Sequence, residues 1–211
     1  SNASETEMEF DINTLRGIVT LVSFATFIGI VWWAWSKRRS EDFSEAAKWY
    51  RLAADNGSAA AQANLGLMHE VGRGVRLDFA EAANWYQRAA EQGHALAQSR
   101  LGLLYDQGRG VEQDFAKALK WYRLAADQGL ADAQYLLGLM YAEGANAAAY
   151  AEAVKWYRLA AGQGLALAQL FLGDAYLNGK GVPQDFVEAV KWTKLAADQG
   201  LAPAQFNLGE I

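Results

Sequence analysis

Trp85-Tyr86-Gln87-Arg88-Ala89-Ala90-Glu91-Gln92-Gly93 returns thirty-six residues later as Trp121-Tyr122-Arg123-Leu124-Ala125-Ala126-Asp127-Gln128-Gly129. Further copies open at Trp49-Tyr50, Trp156-Tyr157 and Trp192-Thr193, which spaces the five tryptophans by 36, 36, 35 and 36 residues. A period of that length marks a stack of supersecondary units, each too small to bury its own apolar face, so that a core exists only between neighbours. Such a chain is expected to be a binding scaffold rather than an enzyme.

Each unit reads as two helices. The first opens at an aspartate with a glutamate three residues on (Asp42 and Glu45, Asp78 and Glu81, Asp185 and Glu188), a pairing able to satisfy the free amides of a helix start. It closes at Gly57, Gly93, Gly129, Gly164 and Gly200, which suit the left-handed residue after a helix. The second helix carries Leu-Gly at 65-66, 101-102, 137-138, 172-173 and 208-209. Glycine inside a helix costs about 1 kcal/mol against alanine, so its recurrence implies a neighbouring helix too close for a side chain. Units are joined by Gly72-Arg73-Gly74-Val75, Gly108-Arg109-Gly110-Val111 and Gly179-Lys180-Gly181-Val182. The turn after Gly144, Ala145-Asn146-Ala147-Ala148-Ala149-Tyr150, is one residue short and lacks the second glycine and the aspartate, which predicts a local irregularity. The fifth copy reaches Ile211 about half-way through its second helix, and Phe206 and Leu208 are expected on an uncovered end.

The pattern of Glu-Ala, Trp-Tyr-Arg, Ala-Ala, Gln-Gly, Ala-Gln, Leu-Gly and Gly-x-Gly-Val resembles the Sel-1-like repeat, a relative of the tetratricopeptide repeat, over about residues 42–211. The resemblance implies an all-α superhelical solenoid that brings proteins together and has no chemistry of its own.

Upstream, Gly17 to Trp35 runs nineteen residues without a charge. At about 1.5 Å rise per residue this gives roughly 28 Å of helix, close to the roughly 30 Å hydrocarbon thickness of a bilayer, and predicts one transmembrane helix. Trp32, Trp33 and Trp35 gather at one end, followed by Lys37-Arg38-Arg39, whereas Arg16 at the other end is offset by Glu9 and Asp11. The positive-inside rule then places the amino end in the periplasm and the repeats in the cytoplasm. A cleaved signal peptide is disfavoured: there is no basic leader, the apolar run is long, and the basic cluster would stop transfer. Gly17, Ala25 and Gly29 fall at multiples of four, and Thr20, Ser23 and Thr26 at threes, a spacing that suits close contact with a partner helix. The same residues are also ordinary in membrane helices, and both readings stand.

Asp11-Ile12-Asn13-Thr14-Leu15-Arg16-Gly17, Phe27-Ile28-Gly29-Ile30-Val31-Trp32-Trp33-Ala34-Trp35-Ser36-Lys37-Arg38-Arg39 and Asp42-Phe43-Ser44-Glu45-Ala46-Ala47 together resemble the small single-helix subunit IV of bacterial cbb3-type cytochrome c oxidases. The resemblance covers roughly residues 10–47. It implies a non-catalytic subunit that packs on the haem-copper core and stabilises or assembles it. Where that family ends in a short acidic tail, this chain continues into its repeats. Three regions follow: residues 1–9, a tail whose Ser1-Asn2-Ala3 is a remnant of tag cleavage; 10–40, the membrane helix with its basic flank; and 41–211, the solenoid.

Charge narrows the partners. The net charge is −5, yet residues 1–40 hold four acidic and four basic groups, so the excess of acid belongs to the repeats. That balance disfavours phosphate backbones, which are held by lysine and arginine, and no nucleic-acid role is expected. The chain has no cysteine, and its two histidines, His69 and His94, occupy non-equivalent places, so neither a metal nor another cofactor is expected. The Gly-x-Gly turns have no preceding strand and no following lysine-serine or lysine-threonine pair, which rules against a phosphate loop. No nucleophile, base and orienter stand together, so no catalytic residue is assigned.

Two recurring features remain. The tryptophans are read as wedges between units, in preference to a ligand-stacking ladder. A basic file, Lys48, Arg51, Lys120, Arg123, Lys155, Arg158, Lys191 and Lys194, is the candidate partner surface. Much of it is expected to pair on its own helix, Glu45 with Lys48, Glu152 with Lys155, Arg51 with Asp55 and Arg123 with Asp127. The sequence therefore predicts a membrane-anchored, non-catalytic scaffold whose partners are proteins, a cbb3-type oxidase core among them, and the lipid bilayer. A free-standing adaptor unrelated to the oxidase is the alternative.

Overall fold

The computed structural model describes residues 41–144 and 146–209. The expected span over 17–35, with Gly17, Thr20, Ser23, Ala25 and Gly29, lies outside the described residues. Among the described residues no helix is long and apolar enough to cross a membrane. They form ten helices and no strand: α1 (41–55), α2 (Ala59–Val71), α3 (Phe79–Glu91), α4 (Ala95–Gln107), α5 (Phe115–Asp127), α6 (Ala131–Glu143), α7 (Ala147–Gly162), α8 (Ala166–Asn178), α9 (Phe186–Asp198) and α10 (Ala202–Leu208). Odd and even helices are the first and second members of five hairpins. From α2 onward each helix packs chiefly on its chain neighbours, and most extensively where a second helix meets the first helix of the next hairpin. The expected solenoid is therefore present, with its core lying between hairpins.

The recurring motifs have clear physical roles. Leu65, Leu101, Leu137 and Leu172 are enclosed, each such burial contributing about 1.5–3 kcal/mol relative to exposure. The glycine after each lets the tyrosine of the following hairpin lie flat against the helix: a Cβ built on Gly66 would stand 2.7 Å from the Tyr86 ring, and one on Gly138 2.5 Å from that of Tyr157. In the last junction Thr193 replaces the tyrosine and meets Gly173. The second glycine of each inter-hairpin turn has a different task. Gly74, at φ +73, sits against the backbone of Phe43 so closely that no side chain would fit.

Helix starts follow the aspartates only in part. Asp78 accepts from the amides of Ala80 and Glu81, and Asp185 from those of Val187 and Glu188. Asp114 does the same for Lys117, without the glutamate that marked the others. Asp42 departs from the expectation: residue 41 is already helical, so Asp42 lies inside α1 and not at its N-cap. The fourth hairpin is irregular as predicted. Gly144 is right-handed, at φ −63, Asn146 caps in place of aspartate, and three alanines wind an extra turn that makes α7 sixteen residues long against thirteen for α3, α5 and α9.

A glutamine ladder, unforeseen in the sequence, ties the hairpins together. Gln62, Gln98, Gln134 and Gln169 are buried, each donating to the carbonyl eight residues back, at Ala54, Ala90, Ala126 and Ala161. Each then accepts from the next hairpin, from Gln92, Gln128, Gln163 and Gln199 at 2.7, 2.7, 2.8 and 2.8 Å.

Candidate interaction surface

The tryptophans divide. Trp85, Trp121 and Trp156 are buried against the hairpin before them, Trp85 on Ala54, Ala61 and Leu65. Trp192 is half-buried and donates to Glu188 at 2.9 Å. Trp49 departs from the expectation of a wedge: it is 64% exposed. Phe206 is exposed as expected, at 67%, whereas Leu208 packs on the cluster of Ala196, Ala197 and Ala204.

The basic file is exposed at all eight positions. Lys48 pairs with Glu45 at 3.1 Å, Lys191 with Glu188 at 2.9 Å, Arg123 with Asp127 at 3.4 Å, and Lys155 with Glu152. The Arg51–Asp55 pair is absent among the described residues. Arg51 instead lies over the ring of Trp85 in the next hairpin, 5.4 Å from its centroid, as Arg123 lies over Trp156 at 5.0 Å. An aromatic face competes well with a solvated carboxylate for a guanidinium. Arg123 and Arg158 also donate to the hydroxyls of Tyr141 and Tyr176, at 3.3 and 2.9 Å. Lys120 lies over Trp121 at 5.1 Å, and Lys194 has no ion pair among the described residues. Arg51 and Arg123 thus bind hairpin to hairpin and Arg158 binds within its own, while Lys48, Lys155 and Lys191 are balanced by carboxylates on their own helices.

The histidines serve locally. The His94 Nδ1 caps α4 by accepting from Ala97 at 3.3 Å, and His69 is buried at the end of α2. Among the described residues no three His, Cys, Asp or Glu side chains stand close enough to hold a metal.

Sequence reasoning missed one feature. A column of acids faces the interfacial tyrosines: Tyr86 donates to Glu70 at 2.6 Å, and Glu70 also pairs with Arg100 at 3.3 Å. Burial first, then this bond, pushes the Tyr86 phenol far above its ordinary value. Asp106 holds the equivalent place opposite Tyr122, and burial raises its carboxyl. In the third hairpin the acid becomes Ala142, and a hollow of about 330 Å³ opens between α6, α7 and α8. Tyr157 forms part of its wall, with a buried hydroxyl that has no hydrogen-bond partner. The alanine at a position that is acidic in the first two hairpins, next to the broken turn, was the available signal.

The Sel1 repeat model matches residues 37–58, 59–94, 95–130, 131–165 and 166–201. Its units pair each second helix with the following first helix, the pair that packs most extensively here. Among solved structures, c5321, a protective antigen present in uropathogenic Escherichia coli strains and displaying an SLR fold, is 43% identical at a TM-score of 0.74, over 78% of this chain and 35% of that one. A Sel1 repeat protein from Oxalobacter formigenes is 39% identical at 0.71, over 78% of this chain and 66% of that one. The chain therefore spans about a third and about two thirds of their lengths. No curated protein matches. With five consecutive matches covering most of its length, the chain belongs to the Sel1 repeat family.

Proposed function

We propose that the protein is a non-catalytic scaffold for protein–protein interaction, anchored in the bacterial inner membrane by residues 17–35, with its amino end periplasmic and its solenoid cytoplasmic. The observation that carries the scaffold reading is the stack of Sel1 hairpins with its exposed basic file on the first helices, where Lys120 and Lys194 have no carboxylate partner among the described residues. The anchor rests on the uncharged run and its basic flank. In this reading the helix, through Gly17, Thr20, Ser23, Ala25 and Gly29, docks on the catalytic core of a cbb3-type oxidase, which the protein stabilises or helps to assemble. The helical state of residue 41, two residues ahead of the place where the later first helices begin, supports a stiff junction that orients the solenoid against the membrane.

Affinity purification of the full chain from native membranes tests this reading. Haem-containing subunits are expected in the pull-down, and their absence removes the oxidase. Recovery in the soluble fraction with the first forty residues intact removes the anchor. A second reading, the free-standing adaptor, is favoured by the repeat array standing where the subunit IV pattern would end. A gene neighbourhood without oxidase genes selects it.

A further inference from the structure

The hollow between α6, α7 and α8 differs from its counterparts in ways that point to one chemistry. Its wall includes the aromatic side chains Tyr150, Tyr157 and Phe171, with Tyr157 and Phe171 ring centroids 5.6 Å apart. Two carboxylates, Glu143 and Asp174, also line it, against a single cation, Lys180. Aromatic faces and carboxylates together select an organic cation, whose charge gains from both and whose apolar stem gains from the wall.

The fold shows the same preference elsewhere. In the first two hairpins the turn arginine lies over the aromatic residue at the start of the first helix: Arg73 over Phe43 at 4.9 Å, and Arg109 over Phe79 at 4.0 Å. In the fourth hairpin the equivalent pair is Lys180 and Tyr150, and there Lys180 turns to Asp174 at 3.9 Å. The shorter cation thus leaves its aromatic seat. The counterpart hollow in the first hairpin, lined by Phe43, Tyr50 and Met68, has no carboxylate and keeps Arg73 at its rim. Only the fourth hairpin, among the described residues, combines the aromatic wall, two acids and a buried tyrosine hydroxyl, 3% exposed as a residue, that no protein group satisfies.

We infer that the hollow lined by Tyr150, Tyr157, Phe171, Glu143 and Asp174 is a recognition site for an arginine or lysine side chain of a partner protein. The stem lies against Phe171 and Ala142, and the cation meets Glu143 and Asp174. The identification of the source as a protein rests on the scaffold reading above; the cation chemistry does not.

The test uses the full chain in detergent micelles and the peptide acetyl-Gly-Arg-Gly-amide, with the citrulline analogue and choline chloride as comparisons, read by amide chemical shifts. Saturable shifts confined to α6, α7 and α8 are expected with the arginine peptide and not with citrulline. E143Q/D174N and A142L are each expected to weaken binding by about tenfold. The double variant alters no apolar contact, so it keeps the test decisive should A142L misfold. Equal binding of citrulline, or unchanged binding by the variants, overturns the inference. Choline binding as tightly as arginine transfers the site to a free small cation and overturns the partner assignment. In membrane pull-downs, equal capture of the same partner by wild type and E143Q/D174N sinks this site and leaves the scaffold standing. A wild type that captures nothing removes the scaffold, and the partner side chain with it.

Discussion

Two glycines show how differently one residue type can be used. Gly138 lies in mid-helix, and a methyl group there would meet the ring of Tyr157 at 2.5 Å. Gly162 closes α7 with nothing within 4 Å of the same methyl position and no positive φ. Alanine is intrinsically better than glycine in either helix, so only the surroundings separate the outcomes. Gly138→Ala is expected to destabilise by roughly 1–3 kcal/mol, because an enclosed ring must shift. Gly162→Ala is expected to stabilise by about 0.4–1 kcal/mol, largely by restricting the unfolded chain. Urea unfolding of the two variants checks this, and midpoints that move the same way contradict the packing argument. The Leu-Gly pair announced such a contact in the sequence, but not its partner, since Tyr157 comes from the next hairpin. Gln134 poses the same problem. Its repetition was visible, yet it bonds to Ala126 eight residues back and to Gln163 twenty-nine residues on. Gln134→Leu removes both bonds, but the Ala126 carbonyl keeps the Gly129 amide and Gln163 is exposed to water, so the cost is expected at about 0.5–1.5 kcal/mol per bond lost, measurable by the same unfolding curves.

Helix boundaries depend on polar groups whose charge can be varied. Asp114 accepts from the amide of Lys117 at the start of α5 and pairs with its ammonium at 3.2 Å. The amide bond above all, and then the lysine, hold its carboxyl below the usual carboxylate value. Stability from this start is therefore complete above the unfolded value of aspartate and is lost as pH falls through the lower folded value. Asp114→Asn keeps a competent cap but has no charge to titrate. Amide exchange in the first turn of α5 is expected to quicken on acidification in the wild type and to respond less in the variant; identical responses would show that another group controls this end. The first turns of α3 and α9 were legible from aspartate and glutamate three residues apart. That of α5 was not, because Lys117 stands where the glutamate should be, although the aspartate does its work without it. The hollow behind α7 was illegible for a related reason: Ala142 is significant only once Tyr157 is known to lie opposite it.

At the scale of the whole molecule, stability in a stack of hairpins is a sum of units and the interfaces between them, so a weakened interface divides the chain where a compact domain would merely become less stable. The junction of the third and fourth hairpins is the irregular one, although α6 and α7 pack on each other at least as extensively as any other pair of described helices. It lacks the two-glycine turn, it contains the hollow, and its tyrosine has lost the acid that Tyr86 keeps. What still spans it is the packing of Tyr157 and Leu137 between α6 and α7, Trp156 over the third hairpin, and the Gln163–Gln134 bond. Tyr157→Ala removes the largest side chain pressed against Gly138, a truncation that costs about 3–5 kcal/mol for a buried aromatic. The loss is expected to fall unevenly. Hydrogen exchange should show residues 147–209 opening at lower denaturant than residues 59–143, with a broader overall transition and a smaller slope. Tyr122→Ala, one junction earlier, keeps the regular turn beside it and should move the boundary between early and late opening to the start of α5. If both variants unfold in a single sharp step with uniform exchange, the hairpins are more strongly coupled than neighbour-to-neighbour packing allows. In that event the hollow in the fourth could not bind a partner's side chain without altering the far end of the stack.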